Sequence, residues 1–176
     1  FLRSKDGEFY FMEVNPRVQV EHTVTEMITG LDLVSLGIIV SSGIELPISQ
    51  DQVTLNGHAI QARINAENPL TLEPSPGKLW ECHWPGGPGV RVDTHGFTGY
   101  DMPGAFDSLL AKVIAWAPTR EQAISKLDSA LDETILLGVD TLIPLHRAIL
   151  GEPDFIERKI TTDYLVEHPN LLSGGT

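Results

Sequence analysis

The reading of this chain turns on one stretch, Phe9-Tyr10-Phe11-Met12-Glu13-Val14-Asn15-Pro16-Arg17-Val18-Gln19-Val20-Glu21-His22. It opens as an apolar strand over residues 9–14 and then sets Glu13, Asn15, Arg17, Gln19 and Glu21 at alternate positions. Side chains of an extended chain alternate between two faces, so the spacing predicts that these polar groups line one wall. Glu13 and Asn15 offer the hard oxygen ligands that suit a magnesium held between protein and phosphate oxygens. Arg17 can grip a planar oxyanion through two parallel hydrogen bonds. Glu21 stands where it can take a proton from whatever that arginine holds. The same alternation would also serve a half-exposed strand with its polar face in water. Asn15 and Gln19, interleaved with acid and base, favour the anion and metal site.

Upstream of this stretch, Lys5-Asp6-Gly7 has the turn chemistry of a hairpin. Downstream, Thr23-Val24-Thr25-Glu26 reads as a capping box and predicts a helix running to Ser42-Gly43. Its apolar face would carry Val24, Met27, Ile28, Leu31, Val34, Ile38 and Ile39, with Gly30 and Gly37 weakening it. His22 is read as a hydrogen-bonded structural imidazole. Residues 46–52 form a polar linker containing Pro47, and a domain boundary is placed between them and Gly57. Two units result, one over residues 1–52 and one over residues 57–168.

In the second unit, residues 58–67 alternate, with Ala59, Gln61, Arg63 and Asn65 on one side and Ile60, Ala62, Ile64 and Ala66 on the other. That pattern predicts a strand with one apolar face and a polar face centred on Arg63. A proline-rich ordered loop over residues 68–78 and a strand over 78–83 follow. Gly86-Gly87-Pro88-Gly89 is a turn that presents Val90 and Arg91; lacking a following Lys-Ser or Lys-Thr and a helix, it is no phosphate loop. Residues 106–117 hold a long apolar run, read as a buried strand. Thr119-Arg120-Glu121-Gln122 is a capping box opening a helix with Ala123, Ile124, Leu127, Ala130 and Leu131 inward, closed before Gly138. Helices are also predicted at 141–150 and after Thr161-Thr162-Asp163, with a frayed tail over 171–176. Strands precede helices, so this unit reads as α+β with an antiparallel sheet.

Bulk composition bounds the function. A 41% hydrophobic, 20% charged chain of 176 residues is an ordinary globular composition. No run approaches the roughly 18 apolar residues of a membrane span, and the first residues do not read as a signal peptide. The start lacks Met and is read as the cut edge of a longer chain. The net charge of −12, from 12 basic against 24 acidic residues, argues against a nucleic-acid surface. Anions must therefore be met by a few placed arginines, and Arg17, Arg63 and Arg91 fit that role. The lone Cys82 excludes an internal disulfide, reads as a small core residue, and fits a reducing compartment: the cytoplasm, with a mitochondrial matrix as the alternative.

Glu13-Val14-Asn15-Pro16-Arg17, continued by Gln19-Val20-Glu21-His22-Thr23-Val24-Thr25-Glu26, resembles the signature of the biotin carboxylases within the ATP-grasp superfamily. The Glu-x-Asn part is shared by many ATP-grasp ligases, whereas the Arg-x-Gln-Val-Glu-His continuation is much more specific. The likeness extends through Gly57-His58-Ala59-Ile60-Gln61-Ala62-Arg63-Ile64-Asn65-Ala66-Glu67, Pro74-Ser75-Pro76-Gly77-Lys78 and Pro85-Gly86-Gly87-Pro88-Gly89-Val90-Arg91.

The resemblance implies the last part of an ATP-grasp domain followed by the whole biotin carboxylase C-terminal domain. It implies a ligase that uses ATP, with Mg2+ or in its place Mn2+, and bicarbonate to carboxylate the ureido nitrogen of biotin. In the family carboxyphosphate forms first, and the phosphate released from it removes the biotin proton. Glu13 and Asn15 match the metal positions; Arg17, Gln19, the Val20 backbone and Glu21 match the bicarbonate pocket, with Glu21 as the base. Arg63 matches the arginine that stabilises the biotin enolate, and Leu2 falls at the adenine pocket. The implied partners are a biotin carboxyl carrier protein or domain, a carboxyltransferase, and a second copy in a homodimer, with neither nucleic acid nor membrane. Arg91 then reads as an oligomer contact, although Pro88 departs from the aromatic that can precede that Gly-Val-Arg. Two further departures, Ala105 before Phe106-Asp107 and Leu142 in place of a usual Asn, leave the catalytic set intact.

The family's nucleotide lid, phosphate-binding lysines and first metal-binding Glu precede the point matching Phe1. These 176 residues alone are therefore expected to be inactive. A non-catalytic assembly or dimerisation module of the same fold is the competing reading, and another ATP-grasp ligase is a third. The intact set Glu13, Asn15, Arg17, Gln19, Glu21 and Arg63 opposes the assembly module; Gln19-Val20-Glu21-His22 together with Arg63 opposes another ligase. The expected setting is an acetyl-CoA or propionyl-CoA carboxylase serving fatty acid synthesis. The choice of acceptor among acetyl-CoA, propionyl-CoA, pyruvate and urea belongs to a separate carboxyltransferase and is not written in these residues.

Overall fold

A computed structural model describes residues 1–172. In chain order its elements are β1 (Leu2–Arg3), β2 (Phe9–Tyr10), α1 (His22–Thr29), α2 (Leu33–Ser41), β3 (His58–Asn65), β4 (Gly77–Lys78), β5 (Glu81–His83), β6 (Val90–Thr94), β7 (Asp101–Met102), β8 (Leu109–Ala117), α3 (Arg120–Glu133), β9 (Ile135–Leu137), α4 (Ile143–Gly151), α5 (Pro153–Ile156) and α6 (Tyr164–Glu167). Short 3-10 turns lie at Gln50–Gln52 and Pro169–Leu172.

The organising unit is a three-stranded antiparallel sheet in the order β3-β8-β6. Strand β8 is central, paired on both edges and buried along most of its length. On one face, Ala62, Ile64, Ala111, Val113 and Ala115 pack against Ile124, Leu127, Ala130 and Leu131 of α3. The inward residues of α3 are those its periodicity names, and Thr119 caps it through a bond from the Gln122 N–H. A second cluster joins Ala66, Leu79, Met102 and Leu110 beneath the two-stranded sheets β4-β7 and β5-β9.

The other face of the central sheet is polar. Register sets Arg63, Lys112 and Asp93 side by side across the three strands, and Gln61, Ile114 and Arg91 in the next row. Directly opposed residues in a ladder share a face, so these six look outward together, away from α3. Residues 20–26 lie across them.

Several local expectations change. The strand over 9–14 is ladder-paired only at β2, opposite β1, since among the described residues no further strand pairs with positions 11–14. Phe9, Phe11, Met12 and Val14 are exposed. The single helix over 23–43 is two helices at 103° to each other. Gly30 ends α1 in the left-handed conformation, φ 73°, and Asp32 caps α2 by accepting from the Ser35 N–H. Thr23 and Glu26 form no capping box; both are buried inside α1 and turned to tertiary partners.

The strand over 78–83 is split at Leu79 and Trp80, because β4 pairs with β7 while β5 pairs with β9. Strand β9 and helix α5 add elements without a sequence expectation. Leu171 is buried against Leu145 and Tyr164 rather than frayed; the rest of that tail, residues 173–176, lies outside the described residues. No single helix among the described residues is long and apolar enough to cross a membrane.

Candidate active site

The expected wall of alternating side chains is present only in part. Extended geometry breaks after Pro16, where the Arg17 N–H donates to the Asn15 carbonyl, and the chain turns again as it enters α1. Glu13 and Asn15 still meet, with Asn15 Nδ2 donating to Glu13 Oε1 at 3.1 Å. Arg17, Gln19 and Glu21 line one open groove of about 930 Å3 together with His22, Thr25 and residues of α2. Val20, Arg63, Glu13, Asn15 and Leu2 are not among the groove-lining residues. Leu2 sits exposed on β1, opposite Tyr10.

Arg63 reaches the site from the other side. From the polar face of β3 its Nη2 donates to Glu21 Oε2 at 3.0 Å, joining a loop and a strand 42 residues apart in sequence. Both side chains are about half exposed, 51% and 57%. Such a pair contributes only ~0.2–1 kcal/mol, so either partner can be released to a substrate at little cost.

His22 behaves as expected of a structural imidazole: its Nδ1 meets the Gln19 carbonyl at 2.7 Å, and its Nε2 lies 3.8 Å from Glu26. A carbonyl can only accept, so Nδ1 carries the proton in that contact.

Beneath the loop, Thr23 Oγ1 donates to Gln61 Oε1, and Glu26 accepts from Arg91 Nη1 at 2.7 Å and from the Leu33 N–H at 2.8 Å. Arg91, expected at an oligomer contact, thus has its guanidinium engaged within the chain; Nε and Nη2 also grip Asp93. Burial pushes the Asp93 carboxyl up, but the hydrogen bonds from Arg91 and Lys112 outweigh it and hold the group below its ordinary 3.8. Lys112 Nζ lies 3.2 Å from Asp93 Oδ2 and donates to the Val20 carbonyl at 3.3 Å. On the far side of β3, His146 Nε2 meets the Arg63 carbonyl at 2.7 Å, and burial lowers that imidazole below its ordinary 6.5.

Lys112 and His146 have no counterpart in the sequence reading. A signal existed for Lys112, the single charge in the apolar run of β8. None existed for His146, whose partner is a backbone atom 83 residues away.

The donor set suits an oxyanion chemistry. Arg17 supplies a fork of donors, Gln19 an amide and Glu21 a carboxylate on one groove. Glu13 and Asn15 present a carboxylate and an amide side by side and open to solvent. Among the described residues no group of three or more His, Cys, Asp and Glu side chains is arranged to hold a metal. A magnesium that takes two protein oxygens and completes its shell from phosphate and water fits Glu13 and Asn15.

A family model described as the biotin carboxylase C-terminal domain matches residues 61–167, well over half of the chain. The chain belongs to the biotin carboxylase family. A second model, the ATP-binding domain of the carbamoyl-phosphate synthase L chain, matches residues 1–49. The biotin carboxylase of Nostoc sp. is 46% identical over 168 residues, which is 95% of this chain and 38% of that protein. A pyruvate carboxylase subunit of Methanothermobacter thermautotrophicus is 47% identical over 169 residues, 96% of this chain and 34% of that protein. Among solved structures, the biotin carboxylase domain dimer of the Hydrogenobacter thermophilus 2-oxoglutarate carboxylase, in complex with MgADP, ADP and bicarbonate, superposes with a TM-score of 0.93. It is 44% identical and covers 96% of this chain and 37% of that one. The chain thus spans well under half the length of these biotin carboxylase relatives.

Proposed function

We propose that this chain forms the C-terminal part of a biotin carboxylase, which uses ATP and bicarbonate to carboxylate the ureido nitrogen of carrier-bound biotin. The observation that carries the reading is the Glu21–Arg63 contact at 3.0 Å, made beside a groove that Arg17 and Gln19 also line. Arg17 and Gln19 orient bicarbonate through its oxygens. Glu21 accepts the bicarbonate proton, which makes the remaining oxygen nucleophilic. Released from Glu21, Arg63 faces the biotin ureido group, where its fixed positive charge stabilises the negative charge that develops as the nitrogen loses its proton. Glu13 and Asn15 would hold magnesium, which neutralises phosphate charge on ATP when bound. Leu2 is assigned to the adenine pocket on the resemblance alone.

The partners in this proposal are a biotin carboxyl carrier protein or domain, a carboxyltransferase, and a second copy of the enzyme in a homodimer. The setting is an acyl-CoA carboxylase in a reducing compartment, the cytoplasm or a mitochondrial matrix. Relatives named for pyruvate and 2-oxoglutarate fit the same half-reaction, because the acceptor belongs to the carboxyltransferase.

The test uses the full-length enzyme and measures bicarbonate- and biotin-dependent phosphate release. Glu21→Gln and Arg63→Ala are each expected to cut carboxylation by about 100-fold or more with the fold retained. Wild-type rates in both variants would overturn the assignment. The 176 residues alone are expected not to turn over ATP, because in the family the phosphate-cradling residues precede the position of Phe1.

A further inference from the structure

We infer that Lys112 is a positioning residue for the bicarbonate loop, acting through the Val20 carbonyl, with Asp93 fixing the lysine in turn. The inference rests on the reading of Arg17, Gln19 and Glu21 just given.

Lys112 sits in the middle of the central strand with its side chain only 13% exposed. Every other residue of β8 is apolar. An aliphatic side chain there would cover the sheet without the cost of withdrawing an ammonium from water, so stability alone does not call for lysine. What the ammonium has is two partners: Asp93 Oδ2 at 3.2 Å on the neighbouring strand and the Val20 carbonyl at 3.3 Å on the loop. It also lies directly between Arg63 and Asp93 in the ladder, so the sheet row that supplies Arg63 to the site supplies the grip on the loop as well.

The consequence follows from peptide planarity. A trans peptide points its carbonyl and its N–H in opposite directions. Anchoring the Val20 carbonyl to Lys112 therefore turns the Glu21 N–H away from the sheet and fixes where the Glu21 Cα, and with it the carboxylate, leaves the backbone. Arg63 then holds that carboxylate from the adjacent strand. Lysine is in turn held by Asp93, Asp93 by Arg91, and Arg91 by Glu26, whose second oxygen receives the Leu33 N–H. A continuous polar chain thus runs from the start of α2, across the sheet, to the backbone beside the proposed base.

The test is steady-state kinetics on the full-length enzyme carrying Lys112→Met, which keeps length and removes the donor. The expected result is a rise of about tenfold in the KM for bicarbonate and a smaller fall in kcat, with the KM for ATP unchanged. Lys112→Arg, which keeps a cationic donor, is expected to recover most of the bicarbonate KM. A purely structural lysine would lower thermal stability and leave the two KM values in their wild-type ratio, and that outcome overturns the inference. Should Lys112→Met fail to fold, Asp93→Asn serves as the second variant: a raised bicarbonate KM supports the inference, and an unchanged one sinks it. Glu21→Gln separates this failure from that of the site itself. An inactive Glu21→Gln beside a kinetically normal Lys112→Met removes only the positioning role, whereas a fully active Glu21→Gln removes the site on which it rests.

Discussion

His146 and Arg63 are joined backbone to ring: the His146 Nε2 lies 2.7 Å from the Arg63 carbonyl oxygen, while the Arg63 guanidinium reaches the other way to Glu21. The imidazole must keep a proton on Nε2 to make that bond, and burial lowers its affinity for a second one below the ordinary 6.5. The backbone of the proposed enolate-stabilising arginine is thereby held by α4 while its side chain is held by Glu21.

A pH dependence follows. Between the unfolded value near 6.5 and the lower folded value, the unfolded chain binds more protons than the folded one. The contribution of His146 is therefore intact above about pH 6.5 and is lost as pH falls through the folded pKa, with a slope of up to ~1.4 kcal/mol per pH unit. His146→Gln, which can still donate to the carbonyl, is expected to flatten this part of the profile. Urea unfolding of the two proteins between pH 7.5 and 5.5 would check it; superimposable profiles would refute it.

Glu26 is buried at 8% exposure and serves both Arg91 and the first turn of α2. Glu26→Gln retains an acceptor for the Leu33 N–H but loses the charge opposite Arg91. A loss of about 2 kcal/mol is expected, moderated because Arg91 is a third exposed and keeps Asp93. Equilibrium unfolding of the two proteins measures it.

Gly138 follows β9 at φ 113°, and a Cβ there would stand 1.9 Å from the Lys78 carbonyl oxygen. Neither atom belongs to a flexible side chain, so backbone must move. Gly138→Ala should cost roughly 3 kcal/mol and lower the melting temperature correspondingly. A melting temperature equal to wild type would contradict the close approach of Gly138 to the Lys78 backbone.

Leu127 lies at the centre of the contact between α3 and the sheet, 1% exposed. Leu127→Ala removes buried methyl groups and leaves a cavity, an expected loss of about 2–5 kcal/mol by calorimetry or denaturant titration. Since the residue faces away from residues 20–26, bicarbonate KM in the full-length enzyme should stay unchanged.

What could be read from the sequence was whatever depends on near neighbours. Helix α3 appears with its inward residues and its Thr119 cap because periodicity and capping are local. Strand β3 shows its two faces for the same reason, and the Glu-x-Asn and Arg-x-Gln-Val-Glu-His runs carry the family likeness outright. The break at Gly30 was also written locally, as a helix-ending glycine two residues before a capping Asp32, but the apolar periodicity on both sides masked it.

Other features depend on register and could not be read. Thr23 and Glu26 satisfy a capping pattern, yet tertiary partners on β3 and β6 claim their side chains. Lys112 becomes meaningful only once β3 and β6 are known to flank it, and the strand at 78–83 divides because its halves pair with different partners. Glu21 and Arg63 could be named individually; that one binds the other is a fact of packing.

The hairpin of β1 and β2 has a practical consequence. Its ladder is two residues long, and beyond it Phe11, Met12 and Val14 are exposed, as are Val34, Ile38 and Val40 on α2. A ladder this short is a poor template for strand addition, but exposed large apolar side chains of this kind form a surface that associates with others like it. Produced as a 176-residue species, the protein should therefore be prone to aggregate through this end, with its charge of −12 opposing association most strongly at low ionic strength.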